Sequence, residues 1–199
     1  DKNTSTIVIP ARIGSKRLPN KSLIDIAGKP LISWVIEAAL KVDFKSEVIV
    51  ATDDNRIKKV SEDLGIKSFL TSRDIKNGTE RILDILDNID SEFIINLQGD
   101  EPLVNPIDLN NLHKTIKSSD NDVVSICHEV DNLEAEDPSN VKVVFDINQY
   151  ALYFSRSKIP YGAKTFYSHK GIYAFKRKAL QRIKYFKSSI LGNLEDLEQ

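Results

Sequence analysis

Arg12, Lys16, Arg17 and Lys21 crowd one short stretch, Ile7 to Lys21, which reads IVIPARIGSKRLPNK. No acidic residue follows them until Asp25. Four cations on one loop repel each other unless an anion sits among them. Arginine offers forked donors and lysine a point charge, and both suit phosphate oxygens, so the chemistry implied is polyphosphate binding. The stretch lacks the G-x-x-x-x-G-K-[ST] pattern, and Gly14 is its only glycine, so G-x-G-x-x-G is absent too. Binding here would therefore lean on side-chain charge as well as on backbone N–H groups. The alternative reading is a solvated basic turn whose cations pair with acids elsewhere.

A second constellation is Asn96-Leu97-Gln98-Gly99-Asp100-Glu101-Pro102. It continues the apolar run Phe93–Leu97, which puts Asp100 at the carboxyl end of a strand. Gly99 permits a sharp turn and Pro102 stops the strand. A carboxylate there suits Mg²⁺, a hard cation that shares its shell with substrate phosphates. A turn-forming aspartate is the competing reading, and Glu101 reads equally as a solvated neighbour.

Thr71-Ser72-Arg73 and Asn77-Gly78-Thr79-Glu80-Arg81 form a polar loop between a strand and a helix. Small donors and acceptors on such a turn can read a base edge, and Asn77 or Thr79 can cap the helix. Arg81 is either an ion-pair partner or a phosphate contact. Farther on, Tyr150–Pro160 (YALYFSRSKIP) precedes His169, Gly171 and Tyr173. Arg156 and His169 suit a carboxylate-bearing substrate, whereas the aromatic segment also reads as an edge strand or a subunit contact. His113 and His128 read as structural, and the three histidines and one cysteine show no zinc spacing.

These residues need a scaffold. Strands are expected at Thr6–Ile9, Glu47–Thr52, Ser68–Leu70, Phe93–Leu97, Asp122–Ile126, Val141–Phe145 and Gly171–Phe175. Pro30 suits the first turn of a buried helix running to about Lys41. Asp53 or Asp54 can cap the next helix, whose Ile57, Val60 and Leu64 share a face before Gly65 ends it. A third turns Ile82, Ile85, Leu86 and Ile89 inward, and Leu109, Leu112 and Ile116 mark a fourth. Asn193 caps an unfinished helix in NLEDLEQ. The alternation predicts an α/β fold: a mostly parallel sheet with helices on both faces.

The 199 residues carry 28 basic and 29 acidic side chains, so no global charge recruits nucleic acid or an anionic membrane. The single cysteine excludes an internal disulfide and fits a reducing cytosol. No apolar run approaches the ~20 residues of a membrane span, and the start lacks a signal-peptide pattern. A cytoplasmic protein is expected.

The motifs IVIPARIGSKRLP-K, ATDD, GTER, NLQGDEP, NVKVVFD, ALYFSRSKIP, HKGIYAF and LEDLEQ occur in that order. Together they resemble the 3-deoxy-manno-octulosonate (Kdo) cytidylyltransferases, the CMP-Kdo synthetases of lipopolysaccharide biosynthesis. The first motif is shared across CMP-sugar synthetases, while QGDEP with ALYFSR-x-x-IP and H-x-G-x-Y is specific to the Kdo enzymes. The resemblance implies a Rossmann-like fold of the nucleotide-diphospho-sugar transferase type with an inserted dimerisation segment, a homodimer, CTP and Kdo as substrates, and Mg²⁺ as cofactor. It implies Arg12, Ser15, Arg17 and Lys21 at the triphosphate, and Arg73, Gly78, Thr79 and Gln98 on the cytidine side. It implies Asp100 as metal ligand, and Arg156, His169, Tyr173, Glu198 and Gln199 around the sugar acid. Lys21, Asp100 and Arg12 are the expected catalytic residues. Family members continue past LEQ with a segment that carries a second metal-binding aspartate. The chain is therefore expected to be one cytidylyltransferase domain, residues 1–199, without that segment. Competing expectations are a synthetase for another acid sugar (amino-Kdo or a nonulosonic acid) and a non-catalytic CTP-binding module.

Overall fold

The computed structural model describes residues 5–14, 18–101, 103–186, 190–195 and 197–198. In chain order the strands and α-helices are β1 (Ser5–Ala11), β2 (Asp25–Ile26), β3 (Lys29–Pro30), α1 (Leu31–Ala39), β4 (Glu47–Thr52), α2 (Asn55–Asp63), β5 (Lys67–Leu70), α3 (Gly78–Asp84), β6 (Phe93–Asn96), α4 (Pro106–Ser118), β7 (Val123–Val130), α5 (Asn132–Glu136), β8 (Lys142–Phe145), β9 (Ala151–Ser155), β10 (Phe166–Lys176), α6 (Arg177–Ile183) and α7 (Ile190–Glu195). They fall into two compact units, one from residues 1–124 and 172–186 and the other from residues 125–171 and 187–199.

The first unit carries strands in the order β5-β4-β1-β6-β10. β1 pairs in parallel with both β4 and β6, β4 pairs in parallel with β5, and β10 runs antiparallel to β6. Every residue of β1 is buried, as a central strand covered on both faces requires. Alternation along the strands sorts the two faces. Val8, Ile49, Ala51 and Ile94 pack with Ile82, Ile85, Leu86 and Ile89, the inward face predicted for the third helical segment. Their strand neighbours Ile7, Ile9, Val50 and Ile95, also fully buried, turn to the opposite face. The mostly parallel α/β sheet covered by helices is as expected.

The parallel strands, numbered by sequence among themselves, lie in the order third, second, first, fourth. The chain leaves β1 toward β4 on one side, whereas β6 lies on the other. The loops after β1 and β6 therefore diverge, and a crevice opens at the carboxyl ends of these two strands. Leu97 N–H donates to the Val8 carbonyl at 3.0 Å and Gly99 N–H to the Pro10 carbonyl at 3.1 Å, which carries the pairing past the end of β6.

Local chemistry sets the helix ends. Asp54 caps α2, accepting from Arg56 N–H at 2.8 Å, and Gly65 stops the helix with φ of 75°. Asn77 caps α3, accepting from Glu80 N–H at 2.8 Å, and Asn105 caps α4, accepting from Ile107 N–H at 3.0 Å. His113 on α4 stacks on Phe44, with ring centroids 3.8 Å apart, and its Nε2 bonds Ser5 Oγ at 2.8 Å, a structural role as read. The β2–β3 hairpin went unread: Ala27 and Gly28 both take positive φ at its turn.

In the second unit β8 pairs antiparallel with both β9 and β10, and β7 pairs with β10. Val130, Ala135 and Phe166 form its small core. The short α5 has a full capping box: Asp131 accepts from Glu134 N–H at 2.9 Å and the Glu134 side chain accepts from Asp131 N–H at 3.2 Å. Lys142 is fully buried, and its ammonium donates to the carbonyls of Asp137 at 2.9 Å and Asn140 at 2.5 Å.

Two local expectations are corrected. Leu64 does not join the buried face of α2: it is the C-cap residue, 41% exposed, because the chain turns there toward Gly65. Asn193 is not an N-cap, since α7 begins at Ile190 and carries Asn193 inside.

Candidate active site

Of the basic loop, Arg12 and Lys21 are described, and Ser15, Lys16 and Arg17 lie outside the described residues. Lys21 opens a single 3₁₀ turn, Lys21–Leu23, and its Nζ lies 2.9 Å from Asp100 Oδ2. Both side chains are substantially exposed, at 37% and 48%. The loops after β1 and β6 thus meet through a cation and a carboxylate at the mouth of the crevice. Arg12 is exposed close by, near enough to Arg81 for the two charges to oppose each other.

The acidic pair of the ATDD motif divides its work. Asp54 is spent on the α2 cap and on Arg56, whose guanidinium and backbone N–H hold its carboxyl below the usual range. Asp53 accepts from the Ile13 N–H at 2.9 Å and so ties the loop after β1 to the end of β4. Sequence reasoning offered either aspartate as the cap and did not find this tie. The surplus acid beyond the one a cap needs was the available signal. Beside it an open cleft of about 500 Å³ is lined by Gly14, Asn20, Asp53, Arg56 and Arg73 among others.

Of the residues expected on the cytidine side, Gly78, Thr79 and Gln98 gather around a buried asparagine, whereas Arg73 lines the open cleft. Asn96 has no exposed surface; its amide donates to Thr79 Oγ1 at 3.5 Å, and the Gln98 amide donates to Asn96 Oδ1 at 3.5 Å. Gly78 lies so close that a Cβ there would fall 2.8 Å from Gln98 Nε2. At Gly99 a Cβ would fall 2.9 Å from Ala11 Cβ and 3.0 Å from the Pro10 carbonyl oxygen, atoms that cannot swing aside. Close approach favours glycine at both positions and is least forgiving at Gly99.

Among the described residues no group of three or more His, Cys, Asp or Glu could cage a metal. Asp100 alone, half-exposed at a strand's carboxyl end, fits Mg²⁺ of the kind that takes one or two carboxylates and fills its shell with water and phosphate. It does not fit a metal caged by protein.

The sugar-acid candidates Arg156, His169 and Glu198 belong to the second unit, Tyr173 to the first, and Gln199 lies outside the described residues. Arg156 follows β9 directly. Its Nε donates to the Glu195 carbonyl at 2.9 Å and its Nη1 to the Pro138 carbonyl at 3.1 Å. The Glu195 carboxylate in turn accepts from Arg156 N–H at 2.9 Å and Ser155 Oγ at 2.8 Å, which holds its carboxyl below the usual range. Tyr153 adds a longer contact at 3.3 Å. Sequence reading passed over Glu195, one of three acids in a polar tail. His169 bonds Ser125 Oγ at 2.6 Å and meets Phe154 edge-on, with centroids 4.9 Å apart. Burial pushes its imidazole down to about 4, so it is neutral near pH 7 and serves as a hydrogen-bonding group. Glu198 is half-buried, and Tyr173 is buried against Phe175 and paired with Asn96 across β10 and β6.

A mostly parallel sheet with a basic loop and a lone carboxylate at its switch point defines the class of α/β nucleotide-handling enzymes. The comparisons narrow it. The cytidylyltransferase family profile matches residues 6–199. The chain is 42% identical to 3-deoxy-manno-octulosonate cytidylyltransferase of Escherichia coli, over 98% of this chain and 81% of that one. It is 43% identical to 8-amino-3,8-dideoxy-manno-octulosonate cytidylyltransferase of Shewanella baltica, over 98% and 82%. A solved CMP:2-keto-3-deoxy-manno-octonic acid synthetase complexed with CTP superposes with TM-score 0.93 at 42% identity, covering 98% of this chain and 83% of that one. A glucose-1-phosphate thymidylyltransferase from Bacillus anthracis shares the fold alone, with TM-score 0.67 and 16% identity. The chain belongs to the cytidylyltransferase family and is a nucleotidyltransferase. Among the described residues no helix is long and apolar enough to cross a membrane.

Proposed function

We propose that this chain transfers a cytidylyl group from CTP to the anomeric hydroxyl of Kdo, giving CMP-Kdo and pyrophosphate for lipopolysaccharide assembly. The observation that carries the reading is the Lys21–Asp100 pair at the β1/β6 crevice of a cytidylyltransferase. An exposed ion pair contributes ~0–1 kcal/mol, so a triphosphate can part it at little cost. Asp100 would then hold Mg²⁺, which supplies charge neutralisation at the phosphates and aligns the groups that react. Lys21 and Arg12 meet the phosphate oxygens, and Lys21 steadies the charge that develops near the α-phosphorus. The bond from the sugar oxygen to the α-phosphorus forms as the bond to the β-phosphate oxygen breaks, and the hydroxyl proton is lost. Ser15 and Arg17 belong to the same triphosphate loop, and Arg73, Gly78, Thr79 and Gln98 to the cytidine side. Arg156 takes the Kdo carboxylate, His169 adds a neutral hydrogen bond, and Tyr173, Glu198 and Gln199 complete the sugar side. The reading extends to a cytoplasmic homodimer; the exposed Leu152 and Tyr153 on β9, last in its strand order, support such a contact.

Purified protein incubated with CTP, MgCl₂ and each of Kdo, its 8-amino analogue and a nonulosonic acid tests the reading through pyrophosphate release. Release with Kdo is expected. Release with the 8-amino sugar alone reassigns the substrate, and saturable CTP binding without release from any sugar replaces the reading with a CTP-binding module. Asp100→Asn is expected to lower turnover about a hundredfold or more, because metal-borne charge stabilisation is worth several kcal/mol. Near wild-type turnover with unchanged Mg²⁺ dependence would remove Asp100 from the metal site.

A further inference from the structure

Arg81 is a cation that the catalytic reading leaves without a task. It sits on α3 and is 2% exposed. Burying a guanidinium costs several kcal/mol unless its donors are satisfied in good geometry. Here they are satisfied by one loop. Nη1 donates to Thr71 Oγ1 and, at 3.2 Å, to the Ser72 carbonyl, and Nη2 donates to the Ile75 carbonyl at 3.4 Å. All three acceptors lie between the end of β5 at Leu70 and the start of α3 at Gly78. That segment carries Arg73, which lines the open cleft. It has no regular backbone pairing of its own. Its other ties include Thr71 N–H to the Thr52 carbonyl at 2.8 Å, Asp74 N–H to Ser72 Oγ at 3.2 Å, Lys76 N–H to Glu80 Oε2 at 3.2 Å and the Asn77 cap of α3.

The charge of Arg81 is felt beyond this loop. Asp53 and Asp84 favour it, and Arg12 opposes it. Asp53 is the residue that holds Ile13 N–H. One buried fork is thus placed among the loops that follow β1, β4 and β5. Holding two peptide carbonyls inward also decides which neighbouring carbonyls and N–H groups face the cleft. Cytosine and uracil differ in that property alone: cytosine carries an amino donor at position 4 beside an accepting N3, and uracil a carbonyl acceptor beside a donating N3–H.

We propose that Arg81 is a positioning residue for base selection: by gripping Thr71, Ser72 and Ile75 it sets the loop that carries Arg73 to accept cytosine and refuse uracil. This rests on the reading of the crevice as a cytidine nucleotide site. Arg81 touches neither nucleotide nor sugar in this role and acts through the loop.

The test is calorimetric binding of CTP and of UTP, each with MgCl₂ and no sugar, to the wild-type protein, Thr71→Val and Arg81→Lys, with thermal unfolding recorded for each. Thr71→Val keeps the side-chain shape and removes one acceptor, so it guards against the loss of folding that a change at Arg81 risks. Thr71→Val is expected to weaken CTP binding about tenfold, the size of a lost hydrogen bond to a charged group, while UTP changes about twofold or less. Arg81→Lys keeps the charge but not the fork, and is expected to retain part of the preference for CTP. A CTP-to-UTP ratio unchanged in folded Thr71→Val and Arg81→Lys would overturn the proposal, as would equal affinity of the wild-type protein for both nucleotides. If the wild-type protein selects CTP and the variants lose that selection, but no acid sugar releases pyrophosphate, the transfer reading falls and the role of Arg81 stands.

Discussion

Replacing His169 tests whether the second unit is held by a neutral imidazole. The folded imidazole titrates at about 4, against an ordinary value of 6.5, because burial penalises its charged form. Below about pH 6.5 the unfolded chain binds a proton that the folded chain refuses until about pH 4, so stability falls as pH drops through that window. The contribution is fully present above 6.5 and is lost progressively below it. Linkage between these two values gives a loss of about 2 kcal/mol on going from about pH 7.5 to about pH 5. His169→Gln removes the titration and keeps a group able to bond Ser125 Oγ, which His169 meets at 2.6 Å. Urea unfolding of both proteins at the two pH values, followed by two spectroscopic probes, isolates the effect as a difference of differences. The other acids and the half-buried His113 are common to both proteins and cancel. The wild-type protein is expected to lose about 2 kcal/mol more than the variant across the interval. Equal losses, within about 0.5 kcal/mol, would refute an imidazole held in its neutral form by burial.

Other perturbations separate packing from chemistry. Gly99→Ala pushes a methyl against Ala11 Cβ and the Pro10 carbonyl, which cannot move aside. A loss of ~1–3 kcal/mol is expected, read as a drop in Tm of about 2–4 °C per kcal/mol. Gly78→Ala meets the amide end of Gln98, which can swing, and Pro10 Cγ at 3.0 Å, so a drop in Tm of about 2 °C or less is expected while the KM for CTP rises and kcat is kept. Equal thermal losses at the two glycines would refute the contrast. Glu195→Gln keeps the shape but loses the charge that accepts from Arg156 N–H and Ser155 Oγ. The KM for the acid sugar is expected to rise with the KM for CTP unchanged. The folded carboxyl is held low, so this support is present above about 4.5 and is lost as the pH falls through the lowered value.

Much of this protein was legible in one dimension because it rests on local physics. The apolar runs of β1 and β4 and the apolar faces of α3 and α4 each depend on residues within a few positions. The motifs around Arg12, Lys21 and Asp100 were legible for a related reason: a loop after a strand displays its charges whatever surrounds it. The short elements were harder. The β2–β3 hairpin, α5 and α6 are brief, and their periodicity is too short to distinguish from a loop.

Which distant residues meet was another matter. Lys21 and Asp100 are 79 positions apart and join only because β1 and β6 lie side by side at the switch of strand order. Whether Asp53 or Asp54 capped α2 could not be chosen from adjacency, since both are acids at a strand end; the approach of the Ile13 N–H decided it. Arg81 was open between an ion pair and a phosphate contact, and in the fold its guanidinium is buried on Thr71, Ser72 and Ile75. Residue type and short-range spacing were enough for the longer elements, the charged loops and the family. Tertiary structure alone decided which charge is spent on scaffold and which faces the crevice, because desolvation and hydrogen bonding act on residues that are neighbours only in space.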